Sequence, residues 1–362
     1  MSDRWAKDAT GMVVHDNTSL EPPYSQQKGY YTPNEQFFVC YATSSHLIYL
    51  DEFLFVIYVF GVEKSLSLLF DDLLKLPHKS LDAFIECAGN HRVLFETVLG
   101  HKLDRREAVV EVRWELGAVG NARWEGVALR DVLALAGVKS DALLACPKGL
   151  DTTSEERGES CPMPIAKALD PDTLLALRMN GEPLPPDHGF PVRVVAPGWV
   201  GTYSIKWVGS ITVSTEPMWV PRNTEMYVMM GDDWEASDYT PAKGPPIYQQ
   251  TIKSSLTLPW PARLQAGRHT IHGYARSPNA EIDRVEWSDD EGASWHEASL
   301  FGPNQKYAWV EFHFDWSAEP GDRTIMTRAT DNSGMTQPDR VAFNHGGYLF
   351  NMAHPHPIKI RR

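Results

Sequence analysis

Four segments in the first two thirds of this 362-residue chain carry side chains whose type and spacing suit chemistry. The stretch AFIECAGNHRVLFE, residues 83–96, sets Cys87 in a turn-like C-A-G-N just after apolar residues that read as a strand. A cysteine there is either a small buried filler, as free cysteines often are, or a thiolate with space around it, which is a nucleophile or a soft metal ligand. The loop CPKGLDTTSEERGESCPMP (146–164), the polar turn NGEPLPPDHGFPVRVVAPG (180–198) and the glycine-lined GWVGTYSIKW (198–207) complete the set. His188, Arg193 and Lys206 in these segments are either donors suited to a phosphate or solvated loop charges.

Such residues need elements to position them. SLSLLFDDLLKLP, from Ser65, offers a serine cap, acidic first turns, spaced leucines and a closing proline, and predicts a helix followed by the strand into Cys87. VALRDVLALAGV predicts a second helix ending on a glycine, and PIAKALDPDTLLALRM a third, broken at Pro171. Residues 189–215 alternate β-branched residues with turn glycines and read as strands joined by tight loops. Composition changes after Gly231 into a connector, and from about Ser255 the runs HTIHGYAR, IDRVEWS, AWVEFHFDW and RTIMTRATD recur with turn signals between them, the pattern of a β-sandwich. The expected class is α+β, with a mixed α/β domain over 1–245 and an all-β domain over 246–362, since the length exceeds what one core usually serves.

A net charge of −13 argues against a general nucleic-acid surface or an anionic membrane, though local basic pockets remain open. Cys40, Cys87, Cys146 and Cys161 show no C-x-x-C, no C-x-x-C-H haem attachment and no paired zinc spacing. The first twenty residues lack a secretory core and a twin arginine, so the chain as written is expected in the cytoplasm, or in the periplasm if a leader has been removed. HLIYLDEFLFVIYVFG (46–61) is interrupted by Asp51 and Glu52 and too short to span a membrane; its second half reads as a buried strand.

ECAGN, GAVGNARWEGVALRDVLALAG, MNGEPLPPDHGFPVRVVAPG and SIKWVGSI together resemble the molybdenum-cofactor domain of the sulfite oxidase family, and the later strands resemble that family's immunoglobulin-like dimerisation domain. The resemblance covers the chain from about Tyr31 to Ile360, with its motifs in the family's order. It implies Cys87 as the single protein ligand to a molybdenum that molybdopterin carries. Phe38, Tyr41, Asp151, His188, Arg193, Ser204, Ile205 and Lys206 fall where the family holds the pterin and its phosphate. Tyr227, Trp114 and Arg92 fall where it places a tyrosine, a tryptophan and an arginine around an oxyanion substrate. Asp151 equally suits a turn, Tyr227 and Trp114 an ordinary core, and Arg92 an exposed loop.

Two departures stand out. Cys40 occupies the position of a family arginine in FFVCYATSSH, with His46 only loosely alignable, and Gly346 in FNHGGYLF stands nearest to another. The expected activity is sulfite oxidation by oxygen-atom transfer, with no haem attached and electrons passing to an external acceptor such as a cytochrome c. A reductase of nitrate or of an S-oxide, and a non-catalytic binding or assembly protein, are the alternatives. The sandwich is expected to make a homodimer, with AWVEFHFDW as apolar interface surface.

Overall fold

HKSLDAFIE is polar at its start and apolar towards its end. In the computed structural model, which describes residues 5–16, 18–40, 48–58, 60–103, 112–151 and 158–362, it forms the strand His78–Glu86, with its last five residues buried. It pairs antiparallel with Val119–Ala128 from His78 opposite Val127 to Glu86 opposite Val119. Leu174–Met179 adds on the far side and is flanked by Glu182–Pro183 and Arg193–Val195. A second sheet runs in the order Leu66–Leu68, Phe55–Tyr58, Val208–Ser214, Leu144–Gly149, Met163–Pro164, with the pairing of Phe55–Tyr58 to Val208–Ser214 parallel.

The helix Leu129–Ala136 buries Leu129, Val132, Leu133 and Ala136, the i, i+3, i+4, i+7 set, in one core with Phe55, Ile57, Ile211 and Val213. Gly137 ends it at φ 74, the left-handed conformation that a glycine adopts without strain.

The other two expected helices are corrected. The period-two alternation of SLSL prevails over its helical reading: Leu66–Leu68 is a strand on Phe55–Tyr58, and only Phe70–Leu74 is helical, with Asp72 rather than Ser65 accepting from the first turn, at the Leu69 amide (3.1 Å). In the third candidate only Ile165–Ala168 is helical. The apolar run beyond Pro171 is the strand Leu174–Met179, all buried but Arg178, because its two faces pack into two cores, Leu175 and Leu177 into one and Leu174, Ala176 and Met179 into the other.

The C-terminal part is the expected sandwich. Lys253–Leu256, Gly267–Arg276, Trp309–Ala318 and Ser299–Phe301 form one sheet, and Ala262–Gln265, His356–Arg361, Gly321–Asp331, Ile282–Ser288 and His296–Glu297 the other. Ile271, Val285, Phe312, Phe314, Trp316 and Ile325 fill the space between them. Phe312, Phe314 and Trp316 therefore face the sandwich's own core, which corrects the expectation that this strand offers apolar interface surface. Phe84, Leu94 and Phe95 meet Tyr274, Trp309 and Phe350 in a further cluster that welds the sandwich to the strand end before Cys87. Among the described residues no helix is long and apolar enough to cross a membrane.

Candidate active site

The turn after Glu86 is held from inside by one side chain. Asn90 donates from Nδ2 to Glu86 Oε1 (3.0 Å) and accepts at Oδ1 from the Ala118 amide (3.1 Å), while its own amide donates to the Cys87 carbonyl (3.0 Å). The Cys87 amide donates to Ala118 O (3.0 Å), so the backbone of the thiol is fixed against the neighbouring strand. A Cβ at Gly89 would lie 2.3 Å from Arg92 Nη2. The space beside Gly89 is thus taken by Arg92 folding back over the turn.

Cys87 opens onto a cavity of about 410 Å³. Phe38, Asp151 and Tyr227 line it with Cys87, and so do His188, Arg193, Ser204, Ile205 and Lys206. Nine positions spread over 190 residues of sequence are thereby brought to one wall. Arg193 is buried and donates to the carbonyls of His188 and Ser204 (3.0 Å each), with its guanidinium 5.0 Å from the Trp124 ring centre. Lys206 Nζ donates to Cys40 O (3.1 Å) and Asp187 O (3.2 Å). His188 Nε2 lies 3.0 Å from Lys7 Nζ and 3.2 Å from Asn34 O.

Burial pushes the pKa of Lys206 down to about 7, with Arg193 adding to the shift, and that of Arg193 down to about 9. It takes Lys7 to about 8, and His188 falls well below the usual imidazole range through burial and then the charges of Lys7, Arg193 and Lys206. Such a gathering of buried cations is relieved by a bound anion. Asp151 keeps Oδ1 on the Glu159 amide (3.1 Å), and its buried Oδ2 has no hydrogen-bond partner among the described residues, leaving an acceptor for a ligand N–H. An anionic pterin with ring N–H groups fits this donor and acceptor set.

Two positions are placed differently from the rest. Trp114 is fully buried beneath the wall, edge-on to Phe38 (6.1 Å) and to His15 (5.0 Å), and does not line the cavity. Arg92 is also off the wall: Nη1 donates to Val112 O (2.5 Å), the guanidinium lies 5.2 Å from the Tyr348 ring centre, and Nε and Nη2 are buried with no hydrogen-bond partner among the described residues. Tyr41 and His46 lie outside the described residues.

Sequence reasoning reached Cys40, as the position of a family arginine, but missed two further occupants. Cys40 lines the cavity beside Cys87, and the coupling of the two thiols pulls the pKa of Cys40 down and pushes that of Cys87 well above the ordinary value. Arg222 and Glu159 also line the cavity, ion-paired with each other. The only signal for Arg222 was an arginine five residues before Tyr227. Cys146 and Cys161, by contrast, are buried fillers, with thiol pKa values that burial pushes up to about 11 and about 12.

A thiol at the end of a buried strand, facing a phosphate-suited set of cations and an unpartnered carboxylate oxygen, defines a molybdopterin-binding oxidoreductase domain. Residues 47–220 match the oxidoreductase molybdopterin binding domain, and residues 245–361 match the Mo-co oxidoreductase dimerisation domain. The chain is 37% identical to mitochondrial sulfite oxidase of Mus musculus over 94% of its own length, and it spans 63% of that protein. It is 29% identical to sulfite oxidase of Arabidopsis thaliana, over 77% of this chain and 75% of the plant protein. Its fold matches the crystal structure of the sulfane dehydrogenase SoxCD from Paracoccus pantotrophus with a TM-score of 0.81 and 27% identity, over 94% of this chain and 84% of that one. The chain belongs to the sulfite oxidase family.

Proposed function

We propose that this protein oxidises a small oxyanion of the sulfite class and passes the electrons to an external acceptor such as a cytochrome c. The observation that carries the reading is the thiol of Cys87 and the hydroxyl-bearing Tyr227 on the wall of one cavity whose other lining supplies buried cations. The molybdenum cofactor, when bound, supplies the oxygen-atom transfer. Cys87 would hold the metal as a soft thiolate, and Arg193, His188, Lys206 and the backbone of Ser204 and Ile205 would hold the pterin phosphate. Asp151 Oδ2 would accept from the pterin ring, and Phe38 would pack beside it with Trp114 as its support. Tyr227, whose hydroxyl pKa burial pushes well above the ordinary value against the pull of Arg222, stays protonated and orients the anion as a donor. Arg92, with two nitrogens lacking partners, adds positive potential next to Cys87.

Steady-state assays with sulfite against ferricyanide and cytochrome c, beside nitrate with a reduced dye, test this reading. Sulfite turnover is expected; turnover of nitrate alone would replace it with the reductase. Protein made in a cofactor-competent host that contains neither molybdenum nor pterin would point to a binding or assembly role instead.

A further inference from the structure

The cavity has no arginine at either position where the family resemblance leads one to expect it, and the structure gives a physical reason for one of them. A Cβ at Gly346 would lie 2.1 Å from Cε2 of Tyr348. That ring stacks on Tyr227 at 5.7 Å and donates its hydroxyl to Met226 O (2.6 Å), so any side chain at 346 would displace it. Position 40 holds a cysteine that lines the cavity together with Cys87. A small dianion still needs a cation near Tyr227, since an unpaired charge in a water-poor site is costly.

Arg222 stands in that place. It opens the π-helical turn Arg222–Met226, and the backbone amide of Tyr227 donates to its carbonyl (3.0 Å), so arginine and tyrosine are presented by the same turn. Its side chain is 14% exposed and lines the cavity. Nη1 lies 3.3 Å from Tyr227 Oη, and the guanidinium sits 5.4 Å from the tyrosine ring centre. Its charge is balanced by Glu159, 17% exposed and on the same cavity wall. Burial works against the guanidinium's charge, but its surroundings, with the ion-paired Glu159 among them, more than offset it, so Arg222 stays cationic.

We propose that Arg222 is the arginine that binds the oxyanion beside Tyr227, with Glu159 as the internal carboxylate that holds it until the anion arrives, an assignment that rests on the oxyanion reading of the cavity. An arginine suits the task because its planar fork of five donors matches the geometry of an oxyanion bidentately. Exchange of Glu159 for an oxyanion keeps the guanidinium paired in both states.

The test measures sulfate binding to the molybdenum-loaded protein by calorimetry, which does not depend on whether sulfite is turned over. Arg222→Met should weaken sulfate about tenfold or more, and Arg222→Lys should recover part of the loss. Arg222→Met leaves Glu159 as a naked repelling charge, so the double variant Glu159→Gln/Arg222→Met isolates the arginine; it should still bind sulfate at least about tenfold more weakly than wild type. Glu159→Gln alone should bind sulfate as well as wild type or a few-fold tighter, because the anion no longer competes with a carboxylate. Wild-type affinity in the double variant would overturn the assignment, and so would a Glu159→Gln protein as weak as Arg222→Met, which would make the pair a structural clasp between its two segments. A wild-type protein that binds sulfate, with variants that do so equally, sinks this inference and leaves the proposed function standing; a wild type that binds no oxyanion sinks both.

Discussion

Asn90 turns a buried strand end into a presented thiol. Its side chain reads the glutamate before the cysteine and the strand opposite, so C-A-G-N is a fixed turn rather than a flexible loop. The turn after a strand was legible in the sequence, as was the set of polar positions that converge on the cavity; the part Asn90 plays was not. The partners of those residues were not: which carbonyls Arg193 bonds, and that Lys7 reaches His188, are set between positions 5, 11 and 181 residues apart. At this scale the prediction concerns the thiol. Cys87→Ser should fold and keep its pterin yet lose turnover by about a hundredfold or more, because an alkoxide is a harder donor than a thiolate. Molybdenum and pterin analysis beside a turnover assay checks it; near wild-type activity at full molybdenum content would remove Cys87 from the metal.

The strand His78–Glu86 is anchored at its buried end by the sandwich. Glu86 accepts from Lys253 Nζ (2.6 Å) and from Arg276 Nε and Nη2 (2.8 and 2.9 Å), all three side chains being fully buried, and its carbonyl accepts from Gln250 Nε2 (2.7 Å). Burial alone would raise the carboxyl pKa, but Arg276 and Lys253 overcome it and bring it down to about 2. The sandwich thus fixes the residue next to Cys87, which makes it part of the site's scaffold. Glu86→Gln leaves two buried cations short of their counter-charge and should cost about 3–5 kcal/mol at neutral pH, read from denaturant unfolding. Since the folded pKa lies below the ordinary carboxylate value of about 4.5, the wild-type carboxylate stabilises fully above that value and progressively less as pH falls towards 2. The gap between wild type and Glu86→Gln should therefore narrow from pH 5 to pH 3. A gap that stays constant over that range would mean that the carboxylate's charge is not what holds the strand end.

As a whole molecule the chain pairs a cofactor domain with a domain of the Mo-co dimerisation type. A homodimer through the sandwich is expected on that match. It must use surface other than the apolar face of Trp309–Ala318, whose large side chains lie inside the sandwich. Light scattering at micromolar concentration should give twice the chain mass, with cofactor loaded. A monomer under those conditions would remove the sandwich as a dimerisation element here, while leaving its anchoring role at Glu86 intact.

The sequence by itself determined what is local and periodic: a strand running into Cys87, a helix closed by Gly137, alternating strands in the last third, and a string of polar turns in the order of one family. Periodicity reports which face is buried, and turn residues report where the chain reverses, because both depend on near neighbours. Only the tertiary structure decided which cations face the cavity. Arg92, five residues from Cys87, lies off the wall under Tyr348, whereas Arg222, 135 residues away, lies on it. Similarly, SLSL became a strand because Phe55–Tyr58 offered an edge to pair with. A charge or a short apolar run has no period of its own; its role is set by the partner that the folded chain brings to it, and that partner is distant in sequence.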